Sequence, residues 1–379
     1  MSGNSSMSIV ELINKTGKYS VEHEILEGAN AYSFKAYHTH LNIPVFLKVY
    51  YSGSPERNSI DEPQTLIGIT QNSSSLAHLV RVYDVQRLDD DNMLMATEFI
   101  EGQSLSELIQ TRQCKLMDAI ELAKYIIQGL SYLHNAGFVH RDIKPANILL
   151  SESSDRFEAK IGDFGSARKL VNADTYVTAS KHSALYVPPE GWENPSRHGI
   201  QSDIYQVGLV AWELLNGSLP YDNESYIDKT LSKHLKSMGL NSVSELDDCD
   251  KSIMIDQCIA RKTKEHKMLE MVSCQPYVPL RIRKVIRKAT HPDLDKRYKS
   301  CFEFLNQLSA YSYPNWYSIG NEYHADNWKG FDYQITTESR RQAVIGYQVY
   351  RSRTGSGKFR RMNKLFSDLS VVFDIVNKQ

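Results

Sequence analysis

The chain has 379 residues, 44 Lys and Arg against 45 Asp and Glu, and a formal net charge of −1. It is too long for one hydrophobic core, since single cores stop growing near roughly 250–300 residues, and its even charge balance excludes bulk attraction to nucleic acid or membrane. The five cysteines (Cys114, Cys249, Cys258, Cys274 and Cys301) show no CxxC spacing, so the reading expects neither a disulfide framework nor structural zinc, and a reduced, cytoplasmic setting.

Residues 1–16 are rich in Ser and Asn and are expected to fray. They lack the charged and apolar regions of a signal peptide. Between residues 17 and 100, runs such as 44–51, 80–85 and 92–100 are β-branched or aromatic and are broken by turn residues, which predicts strands. One helical interruption is expected around residues 61–69.

The period changes after Glu101-Gly102. Ser104 and Glu107 form a capping box, S-x-x-E, that opens a short helix. Ile120, Ala123, Ile127, Leu130 and Leu133 then recur at helical spacing, with Gly137 as the stop. Further helices are predicted over 203–215, 280–289 and 300–309. The first of these is the longest apolar stretch; it is too short to span a bilayer and reads as buried. A strand-rich part followed by a helix-rich part predicts an α+β fold with a cleft between two lobes.

Composition shifts again near Tyr311. Eight aromatics fall between Tyr311 and Tyr333, residues 342–350 read as a strand, and Met362, Leu365, Phe366, Leu369, Phe373 and Val376 fall on one helical face. Residues 311–379 are therefore expected to form a small accessory α/β domain. Its segment 340–364 holds eight basic residues (Arg340, Arg341, Arg351, Arg353, Lys358, Arg360, Arg361 and Lys364) and no acid. Such a segment suits nucleic acid, phospholipid or an acidic protein, or is simply a solvated hairpin face.

The chemistry concentrates at His140-Arg141-Asp142-Ile143-Lys144-Pro145-Ala146-Asn147. Phosphoryl transfer is mostly positioning and charge neutralisation. Asp142 can orient an attacking hydroxyl, Lys144 can offset phosphoryl charge, and the amide oxygen of Asn147 can ligate a hard cation. Asp163-Phe164-Gly165 follows an apolar strand, and Val45-Phe46-Leu47-Lys48 lies upstream. Together these motifs resemble the protein kinase family, with a bilobal fold. The resemblance covers roughly residues 19–310; the domain is placed at 17–310, its N-lobe at about 17–100 and its C-lobe at about 101–310, where residues 221–278 are longer than the family needs and are expected to carry a helical insertion.

The resemblance implies a Ser/Thr-type kinase, because of Lys144, using ATP and Mg²⁺ or Mn²⁺ on protein substrates. It makes Asp142 and Lys144 catalytic and Asn147 and Asp163 metal ligands. Lys48, Gly28, Leu26, Glu98 and Ile100 then belong to the nucleotide site. Glu62 is the expected partner of Lys48, with Asp61 and Glu56 as alternatives. Leu26, Gly28 and Ala31 occupy the three glycine positions of the family's phosphate-covering loop, a departure from its G-x-G-x-x-G pattern. Val187-Pro188-Pro189-Glu190 resembles the Ala-Pro-Glu motif, with Arg297 as the partner of Glu190 and Ser183 near Asp142. Between Asp163 and Glu190 the resemblance places an activation segment. Thr175, Thr178 and Ser180 are its candidate phosphosites, modified in trans within a transient homodimer, with Arg141 as their electrostatic partner. The competing reading is a pseudokinase or scaffold that works through its fold and basic segment.

Overall fold

The computed structural model describes residues 8–25, 31–51, 67–70, 77–111, 114–153, 156–170, 176, 184–340 and 343–378. Five strands, β1 (Tyr19–Ile25), β2 (Ala31–His38), β3 (Ile43–Tyr51), β4 (Val82–Arg87) and β5 (Asn92–Glu98), form an antiparallel sheet in the order β1-β2-β3-β5-β4. Side chains of a strand alternate between faces. Val45, Leu47 and Val49 of β3 therefore enter the outer core with Phe34 and Leu94, while Lys48 and Tyr50 take the opposite face.

The outer core is closed by helix α1 (Ile9–Lys15), inside the stretch expected to fray. Two features order it. Ser8 and Glu11 make a reciprocal capping box, with the Ser8 N–H donating to Glu11 Oε2 at 2.9 Å and the Glu11 N–H donating to Ser8 Oγ at 3.2 Å. Ile13 is fully buried beneath the sheet, and burying such a side chain stabilises by roughly 1.5–3 kcal/mol. Of the expected helical interruption, residues 67–70 are helical.

The helical region contains α2 (Leu105–Thr111), α3 (Leu116–Asn135), α4 (Pro189–Glu193), α5 (Ile200–Asn216), α6 (Lys229–Ser237), α7 (Asp248–Lys264), α8 (Leu280–Ala289) and α9 (Cys301–Ser309). The capping box at the start of α2 is present, with the Glu107 N–H donating to Ser104 Oγ at 3.2 Å. Every residue of α5 from Ser202 to Asn216 is buried, as an all-round apolar helix requires. Short strands β6 (Gly102–Ser104), β8 (Ile148–Ser153) and β9 (Arg156–Ile161) form one small sheet, and β7 (Phe138–Val139) with β10 (Arg168–Lys169) another. The predicted insertion carries α6 and α7, which bury Leu231, Leu235, Ile255 and Ile259.

Beyond α9, β11 (Asn315–Ile319), β12 (Glu322–Trp328), β13 (Phe331–Arg340), β14 (Ala343–Arg353) and β15 (Arg360–Phe366) run as an antiparallel meander, followed by α10 (Leu369–Lys378). The helical face drawn through residues 362–376 is corrected here. Residues 360–366 pair with β14, Tyr350 opposite Arg361 and Tyr347 opposite Phe366. The helix begins only after Asp368, whose carboxylate accepts the Ser370 N–H at 2.8 Å. The aromatic cluster supplies this unit's core: Trp316, Tyr333 and Phe373 are buried with Ile335, Val349, Val372 and Val376. That core is continuous with the helical region, where Tyr277 meets Tyr323 and Phe373 edge-on. Asn315 also serves α3 directly. Lys115 at the α3 N-cap offers no side-chain cap, and Asn315 Oδ1 accepts the Met117 N–H at 2.7 Å instead. Among the described residues no helix is long and apolar enough to cross a membrane.

Candidate active site

The catalytic loop, residues 140–147, is an irregular stretch whose backbone groups need partners because they are buried. Helix α5 supplies them. Asp203 Oδ2 accepts the His140 N–H and Oδ1 the Arg141 N–H, both at 2.8 Å. Gln206 Oε1 accepts the Ile143 N–H at 3.0 Å, and its amide donates to the Arg141 carbonyl at 3.3 Å. These bonds hold Arg141 at φ 74°, a left-handed conformation that costs a non-glycine residue about 1–3 kcal/mol. Asp203 is itself enclosed, with His134 Nε2 at 2.8 Å and His198 Nε2 at 2.9 Å. Burial alone would raise its carboxyl, but the two histidines outweigh this and hold it far below the usual carboxylate range.

Within this frame Lys144 Nζ lies 2.8 Å from Asp142 Oδ2. The Asn147 amide donates to the Asp142 carbonyl at 2.8 Å and to its Oδ2 at 3.0 Å. That use of the nitrogen leaves the Asn147 amide oxygen as the donor suited to a metal ion.

The second carboxylate enters from the end of β9. Asp163 stands at φ 54°, and Lys48 Nζ from β3 reaches its Oδ2 at 2.7 Å. Burial pushes the Asp163 carboxyl up, but Lys48 dominates and brings it to about 2, so it is ionised at neutral pH. Phe164 is buried edge-on to His140 at 5.7 Å, and His140 Nε2 bonds the Gly162 carbonyl at 2.9 Å. Gly165 is required by space: an added Cβ would lie 2.5 Å from the Tyr50 hydroxyl. The same hydroxyl is 3.5 Å from Asp163 Oδ1.

Lys48 and Asp163 thus form one pair and Asp142, Lys144 and Asn147 one bonded group, and the two are joined through Gly162, whose carbonyl meets His140 Nε2 at 2.9 Å and whose N–H donates to the Asn147 carbonyl at 2.9 Å. Glu98 closes β5, and its carboxylate is engaged by Lys160 Nζ at 2.8 and 3.0 Å. Ile100, two residues further on, is half-buried. Glu190 and Arg297 form the expected buried pair, at 2.8 and 3.0 Å through two guanidinium nitrogens. Gly28, Leu26, Glu62, Thr175, Thr178, Ser180 and Ser183 lie outside the described residues.

Sequence reasoning missed Tyr50, Gln206, the histidines around Asp203, and a buried carboxyl, Glu213. Glu213 accepts the Tyr186 O–H at 2.7 Å and the Leu219 N–H at 2.9 Å, and burial pushes it up to about 7. Tyr50 lies two residues past Lys48 on the same strand face, a signal that alternation offered. The partners of Asp203 lie too far away in the chain for any local pattern to show them.

Residues 19–308 match the model of the protein kinase domain, and the chain belongs to that family. Membership implies ATP and a divalent metal ion as the groups handled at this site. The chain is 31% identical over 230 residues to the probable serine/threonine-protein kinase pknA2 of Bifidobacterium longum, covering 59% of this chain and 29% of that protein. It is 27% identical over 241 residues to the probable serine/threonine-protein kinase PknB of Lactococcus lactis, covering 62% and 33%. With the serine/threonine-protein kinase PrkC of Bacillus subtilis the identity is 34% over 174 residues, 44% and 26% of the two chains. The matched parts span about a third of these relatives' length or less.

Proposed function

We propose that the chain is an active serine/threonine protein kinase that transfers the γ-phosphoryl group of ATP, with Mg²⁺ or Mn²⁺, to a protein hydroxyl. The observation that carries this is the single constellation of Lys48, Asp163, Asp142, Lys144 and Asn147, with both carboxylates held by cations. Asp142 orients the acceptor hydroxyl and takes its proton, and Lys144 offsets charge on the phosphoryl oxygens. Asp163 and the amide oxygen of Asn147 would hold the metal ion, which would neutralise phosphate charge. Lys48 would position phosphate oxygens and Glu98 and Ile100 would face the base; Leu26, Gly28 and Glu62, which lie outside the described residues, are assigned to the same nucleotide site by family resemblance.

Regulation belongs to the same reading. Phosphorylation at Thr175, Thr178 or Ser180, in trans within a transient dimer, would bring a dianion to Arg141 beside the catalytic carboxylate. The basic segment adds a surface for an anionic partner. Labelling with [γ-³²P]ATP tests the activity, with Asp142→Asn as the control and phosphoamino-acid analysis of the product. Label on Ser or Thr only in the unaltered protein is expected. Equal label in both proteins would leave a scaffold working through its fold and basic segment.

A further inference from the structure

The basic segment carries an observation that the kinase reading does not use. In the β14–β15 hairpin, Arg351 stands directly opposite Arg360, and Arg361 opposite Tyr350. Arg353 ends β14, and Lys358 lies in the turn between the strands. Like charges directly opposite each other destabilise a sheet, and among the described residues none of these five cations has a carboxylate within salt-bridge distance. Arg351 lies over the Phe331 ring at 4.5 Å, and Arg361 Nε donates to Gln348 Oε1 at 2.6 Å. Both contacts hold the side chains in place without neutralising them. From Ser339 to Ser367 there is no acidic residue.

The same hairpin exposes apolar side chains. Val344 is 56% exposed, Ile345 51%, Leu365 40% and Phe359 41%. Leu365 lies across Gly346, where an added Cβ would be 2.7 Å from its Cγ, so it adjoins Val344 and Ile345. β15 is the edge of its sheet. The aliphatic group and the Arg351–Arg360 group are separated by about 20 Å along the edge, at ~3.3 Å per strand residue. Charge on an edge strand deters edge pairing, but that purpose gives no reason for exposed Val344, Ile345 and Leu365 beside it.

We propose that this edge is a docking surface for an anionic phospholipid bilayer, with the cations at the headgroups and the aliphatic side chains at the acyl boundary. Aliphatic exposure favours a bilayer over single-stranded nucleic acid, which is gripped through stacking on several aromatic faces: Tyr347 and Tyr350 are half-buried, and among the described residues of the hairpin Phe359 is the one exposed aromatic. Basic residues beside apolar ones are the combination that binds anionic membrane surfaces.

The test is sedimentation of the full chain with phosphatidylcholine vesicles, with and without phosphatidylglycerol, at low and high salt. Binding only to the anionic vesicles, weakened by salt, is expected. Lys358→Glu with Arg360→Glu should weaken it roughly thirtyfold, and Val344→Ser with Ile345→Ser several-fold. Phosphorylation of a soluble peptide by both variants should stay unchanged, which separates a lost surface from a lost fold. Equal binding to neutral vesicles, or indifference to the charge reversal, would overturn the proposal. So would full binding by the serine variant, which would show headgroup charge alone, without the aliphatic side chains at the acyl boundary. Retention of single-stranded RNA without vesicle binding would assign the hairpin to nucleic acid instead.

Discussion

The catalytic loop and the β14–β15 hairpin are both rich in charge, and they treat it in opposite ways. In the loop, Asp142, Asp163 and the supporting Asp203 each have a cation or histidine within 3 Å. In the hairpin, five cations lack any carboxylate partner among the described residues. A charge held in a partly buried place must be compensated by the protein, which fixes its position and suits chemistry that depends on placement. A charge left uncompensated in water is free to recruit an external counterpart. The difference teaches that this one chain uses charge for preorganisation in one lobe and for recruitment at its far edge.

The largest expected effect tests the preorganised half. Asp142→Asn should lower the initial phosphorylation rate by roughly 10²–10⁴ while thermal melting stays unchanged. Next comes the buried pair. Arg297→Met leaves Glu190 buried and uncompensated, so urea titration should show a loss of about 3–5 kcal/mol; Lys358→Glu in the hairpin should stay within ~0.5 kcal/mol. A comparable loss in both would break the contrast.

Glu213 sharpens it further, as a buried carboxyl without a cation. Its folded pKa of about 7 lies above the ordinary value of 4.5. Its contribution to stability is thus full below pH 4.5 and is lost as pH rises towards 7. The loss is on the order of 3 kcal/mol. Glu213→Gln keeps an acceptor for the Leu219 N–H and should remove that slope from stability measured across this range. Asn315→Ala uncaps α3 and should cost about 1 kcal/mol in denaturant unfolding. The smallest effect has the opposite sign. Arg360→Thr relieves the like-charge pair with Arg351 and should stabilise by roughly 0.2–1 kcal/mol, so a destabilised variant would show that the pair is already compensated.

The sequence reading was strongest where chemistry demands fixed spacing. The run from His140 to Asn147 places three charged groups and one amide on a single loop, and Asp163-Phe164-Gly165 follows a strand, so the core of the proposed site was legible before folding. The segment 360–366 misled, because Met362, Leu365 and Phe366 fit a helical period that pairing with β14 overrides. Residues 9–15 misled because a helix this short is marginal alone; its capping box and Ile13 packing beneath the sheet together order it. Tyr50 hid because its role depends on Asp163 standing against it.

By itself, then, the sequence pointed to the groups proposed here for the chemistry, since such a loop is local and its residue types follow from the reaction. It also determined the order of a strand-rich and a helix-rich part, since periodicity is local too. Tertiary structure alone decided what holds that loop: Asp203 and Gln206, 62–65 residues away along the chain, meet it only when α5 is buried. It alone also decided that Asn315 caps α3 and that Arg351 faces Arg360 uncompensated. Contacts of that kind join segments that carry no mark of each other, and register and packing choose them only after the chain has collapsed.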